Sequence, residues 1–176
     1  MTHNHTQGVS STAAIAGHPI HPILVPFPIA FFIGVLATDL GYWWTADPFW
    51  ARASLWLAGA ALTTGLLAAI FGLVDFLTIG RAREHSAGWI HLFGNAIALI
   101  LALASLGVRW SDPVAATLPW GLSLSAIVGA ILIVTGWLGG ELVYRHMIGV
   151  TGHGGEEMAL QEQKSSEKQH HHAAVS

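Results

Sequence analysis

Four long apolar runs, separated by short polar breaks, dominate the chain. They extend from about Ile23 to Trp44, Ala53 to Ile79, Gly88 to Gly107 and Pro119 to Val143. No formal charge falls between Ala53 and Val74, and the fourth run is uncharged until Glu141. Each run matches or exceeds the roughly 20 residues that cross a bilayer core about 30 Å thick. Each is also far longer than a buried strand, so the pattern predicts helices. Pro26 and Pro28 lie near the start of the first run. Lipid-spanning helices tolerate proline because neighbouring groups satisfy the freed carbonyls. The breaks (Thr45 to Arg52, Gly80 to Ala87, Val108 to Leu118) are short, and short connections make successive helices antiparallel. The expected fold is all-α: an integral membrane, up-down-up-down four-helix bundle over residues 18–150. A flexible polar tail over residues 1–17 and a disordered, histidine-containing tail over residues 151–176 flank it. A short helix is allowed for around Glu156 to Lys168.

Composition supports the membrane class. Of 176 residues, 53% are hydrophobic and only 10% charged, with a mean hydropathy of +0.56; soluble domains carry about 25% charged residues. The net charge of −3 gives no footprint for nucleic acid. The absence of cysteine excludes disulfides, iron–sulfur clusters, thiolate zinc sites and haem attached through Cys-x-x-Cys-His. The start, Met1-Thr2-His3-Asn4-His5-Thr6, lacks a basic region and an early apolar core, so no cleavable signal peptide is expected. In the antiparallel arrangement Arg81, Arg83, Arg145, Lys164 and Lys168 share the face of the termini, against Arg52 and Arg109 opposite. The positive-inside rule then places both termini in the cytoplasm. Lys164 and Lys168 lie too far out to count fully. Tyr42, Trp43, Trp44, Trp50, Trp56, Trp110 and Trp120 crowd the other face and read as an interfacial belt.

Small residues at helical spacing mark close helix contacts in lipid. Ser125, Gly129, Gly136 and Gly140 form such a line on the fourth run. Gly65 and Gly72 form one on the second, and Gly94, Ala98 and Ala102 one on the third. A flat ligand would also fit along such faces, but helix contact is the preferred reading.

The chemistry concentrates at one depth. His18 and His21, in Gly17-His18-Pro19-Ile20-His21-Pro22, precede the first run. Asp75 closes the second, His85 lies in the following loop, and His91 is one turn into the third. Glu141, His146 and His153 stand at or beyond the exit of the fourth. With a rise of about 1.5 Å per residue, Asp75, His91 and Glu141 fall within roughly 10 Å of one interface. Proline after each of His18 and His21 holds both out of the helical region, with Pro22 opening the helix. His91 and Asn95, four apart, share a face. Ionisable groups at membrane depth are rare and usually functional, which singles out Asp75, His91 and Glu141. His85 and His153 read as polar anchors.

Three readings follow. Haem b needs one imidazole on each side from different helices. The axial pair is His18 or His21 with His91, and His146 is the reserve. Arg81, Arg83 and Arg145 would pair with propionates, and Asp75 or Glu141 would orient a ligand ring. Such a protein would pass electrons, with a quinol or a redox protein as partner. Alternatively His18, His21, Asp75, His91 and Glu141 hold a divalent ion, with His3, His5 and His170 to His172 delivering it, in a non-redox protein that binds or moves metal ions. Thirdly, the layer is a structural hydrogen-bond network in a membrane subunit. No nucleophile triad, phosphate loop or nucleotide fingerprint is present, and Gly152-His153-Gly154-Gly155 follows no strand. A stand-alone enzyme is not expected.

Several stretches resemble a bacterial membrane family known as domain of unknown function 2231. They are Gly17 to Ile29 with its two His-Pro steps, Asp39-Leu40, Gly72-Leu73-Val74-Asp75-Phe76, His85 to Asn95, and Gly139-Gly140-Glu141-Leu142-Val143-Tyr144-Arg145-His146. The resemblance covers about His18 to Val150. It implies a four-helix integral membrane protein and no established activity; the expected location is the bacterial inner membrane. Family members standing beside redox proteins favour the haem reading.

Overall fold

The structure is a computed structural model and describes residues 8–149. His3, His5, His153, Lys164, Lys168, the helix expected around Glu156 to Lys168, His170 to His172 and the 151–176 tail lie outside these residues. A short antiparallel pair, β1 (Ala14–Ile15) and β2 (His18–Pro19), leads into α1 (Ile20–Leu24) and α2 (Pro26–Thr45). Then come α3 (Pro48–Thr78), α4 (Gly80–Glu84), α5 (Ser86–Arg109), α6 (Pro113–Ala116), a wide turn over Thr117–Gly121, and α7 (Leu122–Tyr144). Four helical stretches, 20–45, 48–78, 86–109 and 113–144, are long and apolar enough to cross a membrane. They form a helical bundle, as the apolar runs predict.

The helix boundaries follow local chemistry more closely than hydrophobicity. α3 starts five residues before the second apolar run, at Pro48. Proline suits the first helical position because its missing N–H has no partner there. The Asp47 side chain precedes it and accepts from the Phe49 amide (2.9 Å). Ala46, at φ 54°, ends α2 in the left-handed region. The break between the first two spans is therefore only Ala46-Asp47. Asp47→Ala is expected to cost about 1 kcal/mol, read as an earlier midpoint when the protein is unfolded in detergent. At the other connection, Asp112 accepts from Val114 and Ala115 (both 3.0 Å) and starts α6 inside what reads as loop.

The bundle places small residues inside and large apolar ones outside. Ala51, Ser54, Ala58, Ala61, Gly65 and Ala68 form the buried stripe of α3, and Ala98, Ala102, Ser105 and Arg109 that of α5. Ile33, Ile70, Ile100, Ile133 and Trp137 point outward. Without water there is no hydrophobic drive between helices, so close backbone approach and dispersion hold them together. Phe32, Leu62 and Val128 fill the centre of the core. On α7 the contact line differs from the expected one. Ser125, Val128 and Thr135 are buried and Gly139 meets His91, whereas a Cβ on Gly136 would meet nothing. The line is set by what the neighbouring helix inserts, which small-residue spacing on α7 alone does not encode.

The segment before the first span is engaged from Val9 onward. Val9 donates to Met147 O (2.9 Å) and accepts from Gly149 N (2.8 Å). A second apolar cluster of Phe76, Ile79, Ala82 and Ile148 packs beneath it, with Val9 against it. The small, polar composition of this stretch gave no sign of these contacts.

Candidate functional site at the histidine end of the bundle

His21 and His91 meet. Their ring centres are 6.3 Å apart with planes at 89°. His21 is carried by α1, inside the helix and not before it, with Pro22 in the first turn, where a missing N–H costs no bond, and Pro26 opening α2. His91 is carried by the second turn of α5. Each ring makes the same contact. His21 Nδ1 lies 2.7 Å from Ala68 O on α3, and His91 Nδ1 lies 2.8 Å from Thr135 O on α7. A carbonyl can only accept, so Nδ1 carries the proton and donates in both. In the neutral ring this leaves Nε2 with its lone pair, the form in which imidazole binds a metal, with the carbonyl fixing ring orientation.

Glycine makes room for each ring. A Cβ on Gly72 would lie 2.7 Å from His21 Nδ1, and one on Gly139 would lie 2.9 Å from His91 Cε1. Each glycine is four residues beyond the carbonyl that its histidine addresses. The imidazole therefore enters where the helix surface has no side chain and shares a carbonyl already used by the helix. Asn95 donates to His91 O (2.7 Å), and Thr135 Oγ1 donates to Asn95 Oδ1 (3.4 Å), tying α5 to α7 beside the ring.

The remaining expected residues are placed elsewhere. His18 is exposed, with Nδ1 3.0 Å from Ala16 O. His146 stacks on His85, centres 3.7 Å apart and planes at 27°. His85, expected as a lone anchor, is thus half of a second imidazole pair. Asp75 faces the incoming chain, accepting from Ser11 Oγ, Thr12 N and Ala13 N. Glu141 lies 3.3 Å from Arg145, whose side chain is exposed. Arg83 is exposed and Arg81 half-buried on α4. The five-donor metal set of His18, His21, Asp75, His91 and Glu141 is not assembled. Among the described residues no three His, Asp or Glu side chains converge as metal ligands. Depth along the helices is similar for all five, but depth says nothing about direction around each helix.

The other end of the bundle holds a site that sequence reasoning missed. Asp39 and Arg109 are both fully buried, with Arg109 Nη2 2.5 Å from Asp39 Oδ2. Ser54 donates to Asp39 Oδ1 (2.5 Å) and Ser125 to Oδ2 (2.7 Å), so all four spans meet at one carboxylate. Arg109 Nη1 also reaches Ser105 O (3.1 Å) and Ser105 Oγ. Arg109 Nε is buried without a partner among the described residues. Gly121 leaves space for the guanidinium, since a Cβ there would lie 2.7 Å from Nη2. A signal was available. Asp39 follows His21 by 18 residues, and Arg109 follows His91 by 18. Eighteen residues are five turns of α-helix, so in α5 histidine and arginine share one face about 27 Å apart. The two pairs lie at opposite ends of the bundle.

No curated protein and no solved structure matches the chain. A family model described as "Predicted membrane protein (DUF2231)" matches residues 17–152. Four apolar spans, the two His-Pro steps and the Gly-x-x-Asp that closes α3 all fall inside that match, and the chain belongs to this family of membrane proteins.

Proposed function

We propose that this protein is a multi-pass inner-membrane electron carrier that binds haem b between His21 and His91. The observation that carries the reading is the shared contact of Nδ1 with a helix carbonyl. Both rings donate Nδ1–H to a helix carbonyl and keep Nε2 for a ligand, and they come from different helices. Metal–imidazole bonds are about 2 Å long, so two imidazoles facing one ion from opposite sides have centres ~6 Å apart. The 6.3 Å separation fits that requirement. The donor number favours haem over a bare divalent ion. A protein zinc site uses three or four side chains, whereas two suffice when a porphyrin supplies the other donors. When bound, the haem supplies reversible one-electron transfer. Arg81, Arg83 and Arg145, at the same end, suit the propionates, and a quinol or a redox protein would be the partner.

The buried ion pair also bears on orientation. Arg109 lies inside the bundle and is neutralised by Asp39, so it does not count as a loop charge. That leaves Arg52 against Arg81, Arg83 and Arg145, which favours a cytoplasmic histidine end.

The test is the visible spectrum of the full chain, purified from cells supplied with haem, oxidised and then reduced. A Soret band that shifts on reduction is expected. It should be lost in His21→Ala and in His91→Ala and kept in His146→Ala. A colourless wild type after haem titration, or a band that survives both substitutions, would sink the reading.

A further inference from the structure

We propose that Asp75 is a positioning residue for His21, acting through the segment that precedes α1. The idea rests on the reading of His21 and His91 as the ligating pair. Asp75 Oδ1 accepts from the amides of Thr12 and Ala13 (both 2.9 Å) and from Ser11 Oγ (2.8 Å); Oδ2 accepts from Ser11 Oγ at 2.7 Å. The Ala13 carbonyl then accepts from Ile20 N (2.9 Å), the residue immediately before His21. His21 in turn donates to Ala68 O, two turns back along α3 from Asp75. The path from Asp75 through Ala13, Ile20 and His21 to Ala68 is a closed ring of hydrogen bonds with α3 as its rigid side. Ala68, Gly72 and Asp75 are spaced four and three apart, so they share one face of that helix.

The ring solves a geometric problem. His21 lies in a stretch that three prolines within eight residues, Pro19, Pro22 and Pro26, deprive of amide donors. Its backbone therefore needs support from outside the helix ladder. The antiparallel β1–β2 pair supplies part of it, with Ala14 opposite Pro19 and Ile15 opposite His18. The Asp75 carboxylate anchors the free strand of that pair to α3. A carboxylate accepting from two successive amides and a hydroxyl is a charge-assisted clasp, stronger than neutral contacts of the same number. Nothing comparable is needed at His91, which sits within a continuous helix. Asp75 is thus assigned the support of one imidazole and not the other.

That asymmetry gives the experiment. The full chain, labelled with ¹⁵N-histidine and placed in lipid nanodiscs without haem, is read by ring-nitrogen NMR, with His21→Ala and His91→Ala assigning the signals. Wild type should show both rings fixed in the Nδ1–H tautomer. In Asp75→Ala the His21 signal should move to tautomer averaging while the His91 signal stays. Asp75→Asn, which keeps an oxygen acceptor, should fall between. Haem titrated into Asp75→Ala should bind about 10- to 100-fold more weakly, the range for loss of a group that orients a ligand. If Asp75→Ala loses the His91 signal too, the fold has failed. Ser11→Ala, which removes only the hydroxyl link, then carries the test with a smaller shift confined to His21. An unchanged His21 signal in a folded variant overturns the proposal. Wild type that never binds haem while Asp75→Ala still frees His21 would instead overturn the haem reading and leave the positioning role standing.

Discussion

Asp39→Ala should cost about 3–5 kcal/mol, the range for removing one member of a buried ion pair. The loss is large because of what stays behind. Arg109 is fully buried and would keep its charge without a counterion, while Ser54 and Ser125 would each lose an acceptor. Arg109→Ala should cost a similar amount, through an unpaired carboxylate. The pair itself is a weak source of stability, since desolvating both charges offsets most of their attraction. Asp39→Asn combined with Arg109→Gln should therefore recover much of either single loss. The measurement is a double-mutant cycle on reversible unfolding in mixed micelles. Single variants as stable as wild type would show that water reaches the pair and that its burial does not govern folding.

The second large effect is expected at the two glycines that cradle the imidazoles. Gly72→Ala places a methyl 2.7 Å from His21 Nδ1 and 2.8 Å from its Cε1. Gly139→Ala places one 2.9 Å from His91 Cε1 and 3.1 Å from Nδ1. Each ring must shift to clear the methyl, by more at His21 than at His91, which strains its carbonyl bond. Overpacking of this kind costs about 1–3 kcal/mol. Haem affinity should fall by roughly 10- to 100-fold, because the ring orientation is lost along with the space. Gly136→Ala is the control on the same helix, since its methyl would meet nothing within 4 Å. Parallel haem titrations and thermal melts of the three variants check this. Equal behaviour of Gly136→Ala and Gly139→Ala would remove the cradle from the account.

The sequence disclosed the axial coordinate of nearly every important group. Charge-free runs located the spans, and the depth of His21 and His91 placed them in one layer. It did not disclose the azimuth. Asp75 and Glu141 share the depth of the histidines yet turn towards Ser11 and Arg145. Arg109, at the end of an apolar run, reads as a loop charge until its partner is known. The partner is 70 positions away on another helix, and only the equal spacing from His21 and His91 hints at it. His85 gave no cue to its stacking on His146, because that contact depends on how α4 turns back and on the exit path of α7. Pattern reading assigns a residue to a face when one neighbour dominates. In a bundle where each span touches others on several sides, it leaves the choice among them open.

The separation of Asp39 from Arg109 bears on biogenesis. A ribosome adding about 5–20 residues per second needs roughly 4–14 s to synthesise the stretch between them. For that interval the leading hairpin presents an acidic group to lipid with nothing to neutralise it. In that interval the carboxyl is expected to be protonated or hydrated near the interface, with Ser54 of the same hairpin as its partner. The ion pair can close only once the trailing hairpin delivers its guanidinium, so the packing of the two halves against each other is expected to be the last step.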